Sequence, residues 1–140
     1  MIAEPEHPEH PYLIVLASGS GGNCSALVLP PRTESRLERR IWLIDAGFSP
    51  RRTRGVLARV GLDVSNLAGV ILTHLDGDHY YPTWASTLPR YVRCITHRIH
   101  RGGRERLRLP KHADACDCGQ PIELAPGFTL DPTVVPQSHA

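Results

Sequence analysis

A nearly continuous apolar segment, residues 68–73, leads directly into a cluster of polar side chains, and this junction constrains the fold more than any other feature. An apolar run of this length, rich in β-branched residues, predicts a strand that is buried on both faces of a sheet. The loop that leaves such a strand is held in place by the core beneath it. Four side chains able to bind a metal follow in the motif His-x-Asp-x-Asp-His: His74, Asp76, Asp78 and His79.

The spacing of this motif favours metal binding. His74 and Asp76 lie two residues apart, so an extended loop directs both side chains to one side, and the adjacent Asp78-His79 pair faces a neighbouring point. Gly77 is expected to allow a sharp turn between them. Imidazole nitrogen and carboxylate oxygen suit Zn, Fe or Mn and leave a coordination position for water. The alternative is a polar turn with capping aspartates and surface histidines.

The rest of the chain reads as short strands with few helices. Apolar segments at 12–17, 24–29 and 41–45, joined by short links, predict an antiparallel meander. Ser49 as the N-cap and Pro50 at the first helical position predict a helix that ends at Gly61. The sequence also predicts a short helix at 83–88 and short strands at 92–96, 122–124, 128–130 and 133–135.

The predicted fold class is therefore α+β, with a mixed but mostly antiparallel sheet and flanking helices. Residues 1–11, rich in Pro, Glu and His, are expected to form a flexible tail, and residues 12–140 to form one domain. No apolar run approaches the roughly 18 residues needed to cross a bilayer, so no membrane role is expected. The four cysteines do not form the pattern of a disulfide framework, which predicts a reducing, cytoplasmic location.

Several of these segments resemble one known family. The motif His-x-Asp-x-Asp-His resembles the His-x-His-x-Asp-His signature of the metallo-β-lactamase fold superfamily. Residues 16–24 look like the glycine-rich opening of the branch that contains the cell-wall-regulon exonuclease-like and phosphodiesterase-like proteins. Residues 43–47 and 69–79 resemble that family's third strand and its strand-to-metal-loop junction. The resemblance covers about residues 12–96, and Pro136-Gln-Ser-His139 is similar to the approach to the family's third metal histidine.

The resemblance implies the N-terminal half of a four-layer αβ/βα sandwich. In the complete fold, one face of this half packs against a second, similar half. That sheet face is therefore expected to be exposed here, and self-association or a missing C-terminal half is the expected consequence.

The resemblance also implies the ligands. His74, Asp76 and His139 would form the first metal site, and Asp78 and His79 would begin the second. Asp78 would also act in catalysis by orienting the attacking water. Zn is the expected metal, and Mn or Fe is the alternative because a carboxylate, Asp76, stands where the family has a histidine.

The function implied is a metal-dependent hydrolase that attacks a phosphodiester or ester-type bond with metal-activated water. Its substrate would be a small-molecule or nucleic-acid phosphodiester, with Asn23 near the substrate and an arginine-rich stretch at 90–108 able to meet phosphates. Two alternatives stay open. One is an inactive remnant or binding module, since the 140-residue chain is expected to bind metal weakly and to turn over slowly or not at all. The other is a metal-dependent oxidoreductase, because other branches carry Glu at the position of Asp76.

Three smaller expectations concern residues outside the motif. Asp45 is interpreted as a hydrogen-bonding structural carboxylate rather than a ligand. Cys24 and Cys94 are expected to be small core residues. The segment 112–118 contains His, Asp and two Cys, which fits either a zinc site or a reduced, partly exposed loop.

Overall fold

The structure is a computed structural model that describes residues 10–31, 40–101 and 105–133. Its strands are β1 (Tyr12–Ala17), β2 (Cys24–Leu29), β3 (Arg40–Ile44), β4 (Leu67–Leu72), β5 (Arg93–His97), β6 (Asp114–Cys116), β7 (Ile122–Ala125) and β8 (Phe128–Leu130). Its α-helices are α1 (Pro50–Arg59) and α2 (Trp84–Thr87). Single 3-10 turns cover Val64–Asn66, Arg98–Arg101 and Glu105–Arg108. The predicted strand at 133–135 lies mostly outside the described residues, and Thr133 is not in a strand.

The main sheet has six strands in the order β1-β2-β3-β4-β5-β6. The pairs β1-β2 and β2-β3 are antiparallel, which confirms the predicted meander. The pairs β3-β4, β4-β5 and β5-β6 are parallel, so the expectation of a mostly antiparallel sheet was wrong. The reason is the connections. Helix α1 carries the chain back between β3 and β4, helix α2 between β4 and β5, and the segment with two 3-10 turns between β5 and β6. Such crossovers join parallel neighbours.

Helix α1 begins where the sequence predicts. The hydroxyl oxygen of Ser49 accepts a hydrogen bond from the backbone N–H of Arg52 at 3.2 Å, and Pro50 occupies the first turn. Leu57 and Thr53 on its inner side are fully buried. The helix therefore packs one face against the sheet and positions the crossover from β3 to β4.

The opposite face of the sheet is covered in part by the hairpin β7-β8. Trp42, Ile95 and Leu29 on this face are buried among Ile122 and Leu124 of the hairpin region. The Trp42 indole N–H donates to the backbone carbonyl of Leu124 at 3.1 Å. The expectation of an exposed face was therefore wrong for these residues, because the chain folds its own hairpin over them.

The uncovered part of the same face lies at the edge strand β1. Leu13 and Val15 are 55% and 61% exposed. Ile14, between them, packs against the core that lies on the α1 side of the sheet. Self-association through these side chains stays a prediction.

None of the helices among the described residues is long and apolar enough to cross a lipid bilayer.

The thiols differ in reactivity because they differ in burial. Cys24 and Cys94 are 1% exposed, as expected for core residues, and burial raises the pKa of each thiol to about 12. A neighbouring carboxylate adds to each shift, from Asp45 and Asp114 respectively. Cys118 is exposed. Since the thiolate is the nucleophile, both core thiols stay protonated and unreactive far above neutral pH.

We therefore expect iodoacetamide at about pH 8 to modify Cys118 and to leave Cys24 and Cys94 unmodified in the folded protein. Peptide mass spectrometry after a short exposure measures this, and the urea-unfolded protein is the control in which all thiols react. Equal labelling of Cys24 and Cys118 in the folded protein would contradict the burial of β2.

Candidate metal centre

The loop after β4 displays polar side chains between two buried anchors. Leu75 and Tyr80 are 4% and 1% exposed and belong to the core. Between them the backbone carbonyl of Asp76 accepts hydrogen bonds from the N–H groups of His79 and Tyr80, both at 2.9 Å. Asp76 itself is exposed, whereas Asp78 and His79 are partly buried. The core therefore holds the loop at both ends while its polar residues face outward.

Asp45 organises one side of this loop. It follows β3, is 6% exposed, and adopts a left-handed φ of 63°, which is unusual for a residue other than glycine. One carboxylate oxygen accepts from the backbone N–H of Thr73 at 2.8 Å, and the other lies 2.6 Å from Nδ1 of His79. The interpretation of Asp45 as a hydrogen-bonding carboxylate is confirmed. Asp is one of the few residues other than glycine that adopt this region, because its short polar side chain can hydrogen-bond to the nearby backbone.

The hydrogen bond from His79 to Asp45 sets which imidazole nitrogen can bind a cation. A carboxylate accepts but does not donate, so Nδ1 of His79 carries the proton. The other nitrogen, Nε2, then presents its lone pair away from Asp45. Histidines that bind metal are oriented by a carboxylate in this way, which fixes their tautomer and raises their basicity.

Thr73 extends the same arrangement to His74. Its hydroxyl lies 2.9 and 2.8 Å from the two carboxylate oxygens of Asp45 and 3.0 Å from Nδ1 of His74. A hydroxyl has one proton, and here it donates that proton to the carboxylate. Its oxygen therefore accepts from the Nδ1–H of His74. Asp45 thus orients His79 directly and His74 through Thr73, and the two rings lie with their centroids 4.7 Å apart.

Donor atoms of Asp78 and His79 converge. Nε2 of His79 and a carboxylate oxygen of Asp78 are 3.7 Å apart. The amide nitrogen of Asn23 lies 3.2 Å from that oxygen and 3.5 Å from Nε2. The same amide nitrogen also lies 2.9 Å from the backbone carbonyl of Gly19, so its two N–H groups are shared among several acceptors. Imidazole nitrogen and carboxylate oxygen are ligand types that suit a divalent metal, and this pair supplies two of them, with Asn23 as its neighbour.

Three chain segments meet behind these donors. The N–H of Asn23 donates to the backbone carbonyl of Asp78 at 2.6 Å, and the N–H of Gly47 donates to the carbonyl of Asn23 at 3.0 Å. The N–H of Ala46 donates to the carbonyl of His79 at 2.8 Å. One backbone hydrogen-bond network therefore joins three segments: the glycine-rich loop (residues 18–23), the end of β3, and the loop at residues 74–79, called the metal loop below.

The structure brings together some of the residues that the sequence singled out and leaves others apart. The His79 ring lies beside the ring of His74 and beside the carboxylate of Asp78. The side chain of Asn23 contacts the same carboxylate. His139 lies outside the described residues. Across residues 10–31, 40–101 and 105–133, no three His, Cys, Asp or Glu side chains are grouped closely enough to hold a metal ion.

Sequence reasoning missed Thr73, Tyr80 and Arg108, which contact the loop from outside the motif. Thr73 carries a local signal, since a hydroxyl directly before a ligand-type histidine can orient it. The contacts of Arg108 join residues 28 and 33 positions apart, and no spacing rule connects them.

The second cysteine-histidine cluster does not converge. Cys116 is buried in β6, and Cys118 is exposed beyond its end. The Nε2 of His112 instead lies 2.9 Å from the backbone carbonyl of Val92, where it can donate. The zinc alternative for this segment finds no support in the described residues, and the expectation of a loop was wrong for Cys116.

One comparison with known proteins bears on these residues. Residues 36–81 match the model of the metallo-beta-lactamase superfamily. That segment begins before β3 and includes Asp45 and the whole metal loop. The mixed six-stranded sheet with few helices is consistent with half of a sandwich of this type. No curated protein sequence matches the chain.

Proposed function

We propose that the chain is a metal-dependent hydrolase of the metallo-β-lactamase type that cleaves a phosphodiester or related ester bond. One observation carries the proposal: the Asp45–His79 hydrogen bond leaves Nε2 of His79 converging with the carboxylate of Asp78. Support also comes from the match to the metallo-beta-lactamase superfamily across this loop.

In this proposal the loop supplies two neighbouring half-sites. His74 and Asp76, with His139, would hold one divalent ion, and Asp78 with His79 would hold part of a second. With Zn, or else Mn or Fe, bound there, the site would polarise the scissile group and make a nearby water more acidic. The carboxylate of Asp78 would accept a hydrogen bond from that water and orient it. Asp45 would keep His79 in the tautomer that binds.

The substrate we propose is a phosphodiester, either of a small molecule or of a nucleic acid. Arg93 and Arg98, in the arginine-rich stretch, already have partners within the protein. Arg93 donates to the carbonyl of Glu123 and lies over the ring of Trp42, and Arg98 pairs with Asp117 at 2.8 Å. Arg93 is therefore held by the protein, whereas the Arg98–Asp117 pair is largely exposed and weak and leaves Arg98 able to meet a phosphate.

The test is hydrolysis of bis(p-nitrophenyl) phosphate with Zn²⁺, Mn²⁺ or Fe²⁺ added. We expect Asp78→Ala to lower the rate by roughly 100-fold or more, because it removes both a donor atom and the group that orients water. The matched control is Asp131→Ala, the same change at an exposed residue of the described chain, which should leave the rate unchanged.

Isothermal titration with each metal separates binding from turnover. Metal binding that requires Asp78 and His79 but supports only background hydrolysis would favour the binding module over the enzyme. Hydrolysis that survives Asp78→Ala would contradict the proposed role of this residue.

A further inference from the structure

Arg108 forms a brace across the metal loop. It ends the 3-10 turn Glu105–Arg108, and its guanidinium donates to the backbone carbonyl of Leu75 at 2.5 Å. In the opposite direction, the hydroxyl of Tyr80 donates to the backbone carbonyl of Arg108 at 2.5 Å. Leu75 precedes Asp76 and Tyr80 follows His79, so one residue is bonded to both sides of the polar part of the loop.

The brace is attached to the core at every end. Leu75, Tyr80 and Leu109 are 4%, 1% and 6% exposed. The phenol of Tyr80 is protonated at neutral pH and can therefore donate. The bond from Arg108 to Leu75 has a charged donor, and such bonds are about twice as strong as neutral ones. A movement of this turn would therefore shift the loop backbone as well.

The loop is held in two ways. Asn23 and Asp45 contact the side chains of Asp78 and His79, and Asp45 also orients the His74 ring through Thr73. The backbone between His74 and Asp76 is the peptide of Leu75, and its carbonyl is the one that Arg108 holds. We propose that Arg108 is a positioning residue that holds the backbone on both sides of residues 76–79 and so fixes the placement of Asp78 and His79 for metal binding. This inference rests on the proposed metal-dependent function.

The experiment is a Co²⁺ titration of the full chain, followed by calorimetry and by the visible d–d absorption, which reports ligand geometry. We expect Arg108→Ala to weaken Co²⁺ binding by roughly 10-fold and to change the absorption band, as loss of an outer-shell partner does. Arg108→Lys keeps one charged donor and should recover part of the affinity. Arg106→Ala, an exposed arginine on the same turn, is the matched control and should bind like the parent.

Tyr80→Phe tests the brace from its other end. It removes only the hydroxyl bonded to Arg108 and keeps the buried ring, so it remains informative if Arg108→Ala fails to fold. We expect weaker Co²⁺ binding with a changed band here as well.

The outcomes distinguish the two proposals. In one outcome the parent protein binds Co²⁺, and folded Arg108→Ala or Tyr80→Phe binds it with the same affinity and the same absorption band. That result would overturn the role of Arg108 and leave the proposed function standing. Parent protein that binds no Co²⁺ would overturn the proposed function and the inference that rests on it. Equal weakening by Arg106→Ala would show a general charge effect and would also overturn the positioning role.

Discussion

Replacing Asp45 by asparagine is expected to weaken divalent-metal binding by roughly 10- to 100-fold, the range observed when a carboxylate behind a metal-binding histidine is lost. The carboxylate accepts from Nδ1 of His79 and from the backbone and hydroxyl of Thr73. An amide can satisfy only part of this set, because one of its two polar atoms donates. His79 then loses the partner that fixes its tautomer.

The asparagine substitution isolates this electrostatic effect from backbone strain. Asp45 has a φ of 63°, and Asn tolerates the left-handed region about as well as Asp. Asp45→Ala would add a backbone cost of about 1–3 kcal/mol to the loss of the hydrogen bonds, so it reports on both effects at once.

The matched control is Asp63→Asn. Asp63 is exposed and accepts from the backbone N–H of Ser65, a capping role that an asparagine also fills. Calorimetric titration with Zn²⁺ measures affinity, and nitrogen-detected NMR of the imidazole rings reports the tautomer of His79. An Asp45→Asn protein that binds Zn²⁺ like the parent, with Nδ1 of His79 still protonated, would contradict the arrangement.

Local features of the fold could be predicted from the sequence because their causes are local. The N-cap at Ser49 depends on residues within one turn, and the strand before His74 depends on an unbroken apolar run. The position of Asp45 at the end of a strand likewise indicated a structural carboxylate. In each case the physical determinant lies within a few residues of the feature.

The missed features depend on contacts between distant segments. Strand β6 has three residues, Asp114–Cys116, too few for any alternation to be visible. The hairpin that covers Trp42 joins residues 82 positions apart, and nothing in its own sequence indicates what it covers. Arg108 is one of many arginines, and only the folded chain places it beside Leu75.

Gly77 and Gly47 also show that a constraint imposed by distant segments is not visible in the local sequence. The sequence predicted that Gly77, which lies inside the motif, allows a sharp turn that brings the flanking side chains together. Its φ is not among the positive values, and a Cβ added there meets nothing within 4 Å. The glycine under constraint is Gly47, where a Cβ would lie 2.6 Å from the backbone nitrogen of Asn23 and closer still to the carbonyl oxygen of Asp78.

Gly47→Ala is therefore expected to lower the free energy of unfolding by about 3 kcal/mol, the upper range for overpacking at a site that cannot relax. The atoms in the way belong to the backbone of the glycine-rich loop and of the metal loop, so no side-chain rotation relieves the clash. Relief requires these segments to separate, which breaks the hydrogen bonds that join Asn23, Gly47 and Asp78. Metal binding should weaken with stability, because Asp78 lies on the displaced segment.

Urea unfolding followed by circular dichroism measures this loss, and Gly77→Ala is the control. Both substitutions add one methyl group near the same loop, but only Gly47 has backbone atoms in the path of that group. We expect Gly77→Ala to change stability by less than about 1 kcal/mol, in either direction, since alanine fits its conformation and also restricts the unfolded chain. If the two variants unfolded at the same urea concentration, the close approach of the three segments at Gly47 would be wrong. The donor pair that those segments hold together would then lose its structural basis.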